Sequence, residues 1–390
     1  MKLLVFLMAP TLGQSAAEQG TKCRRRNTRA AITLALALVC AQPSSPTLAA
    51  DNAFPHREVA TSALEGHIRP GYDRFAAAAA RFVSQTQQCQ SRAAFEYEML
   101  MPAFRELVMA WGRIAHISFG PVMVENRLER LYFWLDRKGI ARRQVMAAIA
   151  GADPKVAAAQ SLAQRSVGLQ GLPALEFLVS GEAQRVAADR AHLCRFAIAI
   201  AQNVSTIAAE IAADWSPAGP WTRHWLAPGA GNPRFVSDRE TTFALATSFL
   251  AQMTRVRDVE LMRPLGFAAR NRRLPGPFDR TGLTMVFLAA RLEGLRSLVV
   301  DSGLLDAVSA IATATGDSGS EVAAQDARQS LDESVRLASR LSSIDRFFGT
   351  GRRREAIALG APLKLARLQL ETALQQTSDL PLGFNANDGD

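Results

Sequence analysis

Glu176 lies inside the apolar run LPALEFLV and is the residue in this sequence best placed to do chemistry. A carboxylate among leucines is costly unless it is paired, so Glu176 either bonds a basic or backbone partner or belongs to a functional cleft. Pro173 lies three positions earlier and would share a helix face with it. Because proline supplies neither a proton nor a ligand, Pro173 can only open a helix after Gly171.

The histidines do not form a local metal motif. No H-E-x-x-H string is present, so a zinc peptidase built from local spacing is not predicted. A site for iron or another divalent metal would need ligands from separate helices, for example His67, Asp136 and Glu176. The structural alternative is favoured: His67 bonds locally, Asp136 begins a turn, and Glu176 pairs with Arg127. The chain has five histidines: His56, His67, His116, His192 and His224.

Two further strings have chemical alternatives. The sequence GDSG at 316–319 resembles the nucleophile segment of serine proteases, but it lies between helical patterns, where Asp317 and Ser318 are expected to form a turn and an N-cap. Phe133 and Trp134 precede the acidic turn that begins at Asp136. These two aromatic residues either line a binding cleft or anchor the loop to the core.

The N-terminus has the pattern of a removable export signal. Arg24 to Arg29 precede the apolar run AAITLALALVCA, and small residues follow up to Ala50. We therefore predict a leader over 1–50 and a periplasmic or cell-envelope location. A lipid anchor at Cys40 is not expected, because Val39 does not suit that site. The remaining chain has 39 basic and 35 acidic residues, a net charge of +4, which does not favour a nucleic-acid partner.

Removal of the leader would leave two cysteines, Cys89 and Cys194. In an oxidising compartment a pair of this kind predicts one disulfide. Two buried free thiols are the alternative.

Hydrophobic periodicity is helical almost throughout, so we predict an all-α protein of two antiparallel, four-helix-bundle-like domains with a cleft between them. The Pro- and Gly-rich stretch near the middle sets the boundary. The N-terminal bundle is placed at 51–216, the linker at 217–235 and the C-terminal bundle at 236–390. Long helices are predicted at Arg57–Gln88, Arg92–Ser118, His192–Trp215, Asp238–Met262, Leu283–Val300, Glu321–Phe348 and Lys364–Gln376. No transmembrane helix is predicted after the leader.

Several segments together resemble the imelysin family. HIRPGYDRF at 67–75 is similar to the family's first helix, and FGPVMVENRLERLYFWLDRKG at 119–139 is similar to its F-G-P, N-R and W-P-D elements. The stretch around Gly171 and Glu176 resembles the G-x-H-x-x-E motif, with Pro173 in the histidine's place. Further similar segments are the long helix from Ala188 to Trp215, RLEGLRSL at 291–298 and the closing GFNANDGD.

The resemblance implies two helical bundles, an envelope location and a link to iron uptake, and some family members were named as metallopeptidases. The missing histidine weakens the carry-over of peptidase activity. We therefore expect a non-catalytic binding component with an unknown envelope protein or small ligand as partner, acting as a monomer or weak dimer. A metallopeptidase with a metal site assembled from separate helices is the alternative. The positions that match the family's motifs are candidate binding residues. They are Gly171, Glu176, Asn126, Arg127, Trp134, Asp136 and His67.

Overall fold

The computed structural model describes residues 53–91, 96–267, 275–342 and 352–382. Within these ranges all regular elements are helical, which confirms the all-α prediction. The leader predicted at 1–50 lies outside them. The helices are α1 His56–Ala63, α2 Arg69–Thr86, α3 Met101–Gly112, α4 Arg127–Leu131, α5 Ile140–Ala150, α6 Ala159–Ala163, α7 Gly171–Val179, α8 Glu182–Val186, α9 Arg190–Asp214, α10 Pro220–Leu226, α11 Asp238–Thr254, α12 Thr284–Val300, α13 Leu304–Thr315, α14 Ser318–Ser342, α15 Arg353–Ala358 and α16 Gly360–Thr377.

Two of the long helical stretches contain π-helical segments. Leu64–Ile68 joins α1 to α2, and Arg255–Met262 extends α11. Both fall inside helices that the sequence predicts as continuous. A π-helical segment widens the turn by one residue and occurs frequently at functional sites.

The core is formed by long helices that pack side by side. In the first half of the chain α2 packs against α9 and α3, and in the second half α14 packs against α12, α13 and α16. Helix α12 also packs on α3, so the two halves share an interface. At this crossing the backbones approach closely, because a Cβ on Gly294 would collide with the backbone of Arg113, and one on Gly112 would lie 2.8 Å from Ala290.

The segment predicted as a linker at 217–235 is packed against the rest of the protein. It contains α10, whose Trp225 is 1% exposed and donates a hydrogen bond from Nε1 to the Ala60 carbonyl oxygen at 2.8 Å. The described residues all belong to one compact unit. The division into two bundles with a cleft between them stays a prediction.

Two local predictions are confirmed. Cys89 and Cys194 form a disulfide with their Cα atoms 5.8 Å apart, which ties the 3₁₀ turn after α2 to α9. The carboxylate of Asp317 accepts a hydrogen bond from the Ser320 amide at 3.1 Å, so the GDSG string is a helix start, as expected.

By length and composition, one helix in the described part of the chain could cross a membrane. This is α9, with a mean hydropathy of 1.4. The bent pair α12–α13 passes the same test as one span. Of the apolar window of α9, 61% is buried inside the protein, as is usual for the core helix of a globular fold.

Candidate functional site

Helix α7 begins at Gly171, and local chemistry fixes its position. Gly171 has a φ of +76°, and a Cβ there would collide with the carbonyl oxygens of Arg130 and Leu131. Pro173 lies in the first turn, where its missing amide proton costs nothing. Just before the helix, the side-chain oxygen of Gln170 accepts hydrogen bonds from Arg130 and Asn203, which holds this entry against α4 and α9.

Glu176 is buried in the middle of α7, and it is 7% exposed. One carboxylate oxygen accepts hydrogen bonds from the Thr281 amide at 3.2 Å and the Thr281 hydroxyl at 3.3 Å. Burial raises the pKa of Glu176 to about 7, although the Thr281 amide and the Arg280 guanidinium lower it in part. The carboxyl group therefore changes its charge near neutral pH while it holds the loop before α12.

The expected pairing of Glu176 with Arg127 is wrong. Arg127 is directed towards α9, where its guanidinium binds Glu210 at 3.1 Å and Asp214 at 2.9 Å. It also donates a hydrogen bond to the Pro121 carbonyl oxygen. The basic neighbour of Glu176 is Arg280, which follows it by more than a hundred residues, so spacing along α7 could not reveal it.

Asp136 and Asn126 have local roles in the structure. The two carboxylate oxygens of Asp136 accept hydrogen bonds from the Ile140 and Ala141 amides, each at 2.8 Å, so Asp136 caps α5 as the structural alternative predicts. Asn126 is exposed and lies immediately before α4 with a φ of +55°.

His67 lies in the first π-helical segment and is bonded to a second buried histidine. Its Nε2 lies 2.8 Å from Nε2 of His116, and its Nδ1 lies 2.8 Å from the Ser297 hydroxyl. The Ser297 hydroxyl donates its proton to Asp301. The Ser297 oxygen must then accept from Nδ1–H of His67, and Nε2 of His67 must accept from Nε2–H of His116. The result is a hydrogen-bonded chain from exposed Asp301 to the interior.

Both imidazoles are kept neutral. Burial lowers the pKa of His67 to about 4, against a raising effect from Asp301. Burial also holds the pKa of His116 well below its usual range, and the neighbouring His67 and Arg291 add to the effect. Nδ1 of His116 is buried without a hydrogen-bond partner among the described residues.

A buried ion cluster lies beside this pair. Glu260, in the second π-helical segment, is fully buried and contacts Arg255 at 3.1 Å and Arg291 at 3.2 Å. The Arg291 Nη2 donates to the Gln252 side chain at 2.6 Å. Two guanidinium groups around one carboxylate leave the cluster with a net positive charge. We call Arg255, Glu260 and Arg291 the buried ion cluster.

Aromatic side chains connect the buried ion cluster to Trp134, one of the candidate binding residues predicted from the sequence. Arg255 donates to the Trp134 carbonyl oxygen at 2.8 Å and lies over the Trp134 ring. Tyr132 stacks with Trp134 and with Phe278, with ring centroids 6.2 and 5.7 Å apart. Burial raises the pKa of Tyr132 well above its usual value, and the charges of both Glu260 and Glu176 act in the same direction. Both carboxylates therefore lie close enough to Tyr132 for their charges to act on its hydroxyl group.

Several polar atoms in this region have no hydrogen-bond partner among the described residues, although all are buried. Such atoms are costly in a protein interior, and a small polar molecule with donors and acceptors would satisfy them. They are the Tyr132 hydroxyl, Trp111 Nε1 and His116 Nδ1.

The three residues that the sequence offers as metal ligands have separate partners in the structure. Within the described ranges, no three His, Cys, Asp or Glu side chains form a group that could hold a metal ion. His67, Asp136 and Glu176 are thus not assembled as the three-ligand site that the sequence allows. His67 bonds to His116, Asp136 caps α5, and Glu176 bonds Thr281.

Sequence reasoning missed the buried ion cluster. Its one usable signal is a charged residue inside an otherwise apolar helical run, as at Arg291 in MVFLAARL. Glu260 gives no such signal, because it belongs to the polar string RVRDVE and becomes buried through the π-helical turn.

This chain is similar to one protein family in sequence and to a solved structure in fold. The imelysin family model, peptidase M75, matches residues 68–368. The crystal structure of an imelysin-like protein from Psychrobacter arcticum 273-4 superposes with a TM-score of 0.69 at 18% identity, covering 84% of this chain and 97% of that chain. No curated protein matches the chain. The family match spans most of the chain, including the Glu176 helix and the buried ion cluster, and the chain belongs to the imelysin family.

Proposed function

We propose that this protein is an exported, non-catalytic binding component of the cell envelope that acts in iron uptake. The observation that carries the proposal is the state of the family motif. Its third position is Pro173, and its glutamate is bonded to Thr281. A pyrrolidine ring neither coordinates a metal nor transfers a proton, so the motif lacks the base or ligand that peptidase chemistry would require there.

The positions of the histidines support the same conclusion. His67 and His116 bond to each other, and His192 lies within hydrogen-bond distance of the Ala148 carbonyl oxygen. These side chains are thus committed to other partners. The link to export and to iron uptake rests on the leader pattern and on family membership.

The centre around Tyr132 is the proposed binding site. It combines aromatic rings with buried donors and acceptors, which is typical of small-molecule sites. The net positive charge of the buried ion cluster favours a small anion over a bare cation. Iron handled at this centre would accordingly arrive as an anionic chelate.

The non-catalytic part is tested with purified mature protein and a denatured polypeptide, with and without a chelator, beside Glu176→Ala. We expect no chelator-sensitive cleavage, and elemental analysis should find no stoichiometric zinc. Cleavage that both the chelator and Glu176→Ala abolish would establish the metallopeptidase alternative.

The iron part is tested by deleting the gene and measuring ⁵⁵Fe accumulation under iron limitation. We expect accumulation to fall and wild-type protein to restore it. Glu260→Gln should fail to restore it, whereas Glu129→Gln, on the exposed face of α4, should restore it fully. Protein level and melting temperature are measured for both variants. Unchanged accumulation in the deletion strain would contradict the proposal.

A further inference from the structure

A cavity that is separate from the Tyr132 centre lies between α11 and α16. Its volume is about 600 Å³, and Leu382, near the end of the described chain, helps to close it. The wall is mainly apolar, with Leu250 and Met253 from α11 and Leu363 and Leu368 from α16. The volume falls within the roughly 300–1,000 Å³ that small-molecule pockets occupy.

The mouth of this cavity is basic. Arg257, Lys364 and Arg367 line it, against a single acidic residue, Asp258. Arg257 is already engaged, because it donates to the Gly360 carbonyl oxygen and to Asp258.

Of the other two cationic groups, Lys364 is the one that keeps its donors available to the cavity. Arg367 binds Glu371 through its terminal nitrogens, while its Nε is buried and has no hydrogen-bond partner among the described residues. Lys364 is exposed and makes no ion pair within the described ranges. An apolar wall and a free ammonium group, that of Lys364, therefore occur in one cavity.

We infer that this cavity binds a single-chain amphiphile with an anionic head, a fatty-acid carboxylate. The hydrocarbon chain would lie along Leu250, Met253 and Leu363, where burial of apolar surface stabilises it. The carboxylate would lie at Lys364, where charge-assisted hydrogen bonds are available. A neutral chain would lack the second interaction, and a cationic head would be repelled.

The inference is tested by titrating purified mature protein with dodecanoate, below its micelle concentration, by calorimetry. Dodecyltrimethylammonium is the probe of equal chain length and opposite charge. We expect one saturable site for dodecanoate and at least tenfold weaker binding of the cationic probe. Lys364→Gln should weaken dodecanoate binding about tenfold.

A cavity-filling variant tests the location. Ala251 lines the cavity and is exposed, so Ala251→Trp should reduce dodecanoate binding at least tenfold without disturbing the core. The matched control is Ala147→Trp at an exposed position of α5, which should bind as wild type.

Unaltered dodecanoate binding by Ala251→Trp would overturn the inference, and so would equal affinity for the two probes. A dimer of the wild-type protein that Ala251→Trp dissociates would also overturn it, because the cavity would then be a contact between two copies. None of these results bears on the Tyr132 centre, so failure here is distinguishable from failure of the proposed function.

Discussion

Among single residues, Glu176 combines deep burial with hydrogen bonds from Thr281 and a nearby guanidinium group, that of Arg280. Thr281 and Arg280 both come from the loop before α12. Protonation of Glu176 would weaken its bonds to this loop, and ionisation would strengthen them. The state of one carboxyl group thus affects a segment that also carries Phe278, an aromatic neighbour of Tyr132.

We predict that Glu176 makes stability fall as pH rises. The raised pKa of about 7 means that the folded state holds a proton which the unfolded state releases above about 4.5. The destabilising contribution therefore grows between these values and is constant above pH 7. Glu176→Gln imitates the protonated form, so its melting temperature should exceed that of wild type by an amount that grows from pH 5 to 7 and is constant above pH 7.

The control for this series is Glu129→Gln, at an exposed position in α4. The difference between its melting temperature and that of wild type should not change over the same pH range. If the difference in melting temperature between Glu176→Gln and wild type were also independent of pH, Glu176 would be ionised throughout this pH range.

His67 is predicted to act in the opposite direction. Its pKa is lowered to about 4, so the unfolded state binds a proton that the folded state excludes between about 6.5 and 4. The stability that neutral His67 supplies is lost as pH falls through this window. In denaturant titrations, His67→Gln should lose less stability than wild type between pH 7 and 4.5. His224→Gln, in partly exposed α10, is the control and should follow wild type.

Residue roles were predictable from the sequence only where partners are local. The caps formed by Asp136 and Asp317 follow from residue type and spacing within one turn. The partner of Glu176 comes from a loop 105 positions later, and the two imidazoles that bond each other are 49 positions apart. No periodicity relates such positions, because tertiary packing alone brings them together.

At the scale of elements, the left-handed entry to α7 depends on one glycine. We predict that Gly171→Ala destabilises the protein by at least about 2 kcal/mol, because a methyl group there meets two carbonyl oxygens and the positive φ is itself unfavourable. Urea denaturation measures the change. Gly231→Ala, where an added Cβ meets nothing within 4 Å, should change stability by less than about 1 kcal/mol.

Long helices were predictable because their apolar stripes are long. The pattern over Asp238–Met262 corresponds to α11 and its π-helical extension, and the pattern over Leu283–Val300 corresponds to α12. Short helices such as α4 and α8 have five residues each and are too short to show a period. The π-helical segments also leave no sequence signal, although they carry His67 and Glu260.

At the scale of the whole molecule, the disulfide is the main covalent constraint in the described part of the chain. It closes a loop with a sequence separation of 105 residues. We predict that Cys89→Ser with Cys194→Ser lowers stability by about 2–5 kcal/mol. The measurement is guanidinium unfolding of both proteins without reductant. Thiol titration of the unfolded mature protein, from which Cys23 and Cys40 have been removed with the leader, should find no free thiol, and two free thiols would contradict the assignment.

The crossing of α3 and α12 at Gly112 and Gly294 limits how the molecule can move. With backbones this close, the two helices cannot slide or separate without opening a gap along the interface that joins the two halves of the chain. The two halves should therefore not undergo a hinge-like closure when a ligand binds. Small-angle X-ray scattering should give the same radius of gyration with and without a bound ligand. Entry and release of the ligand should instead depend on the movement of loops such as the one that carries Thr281.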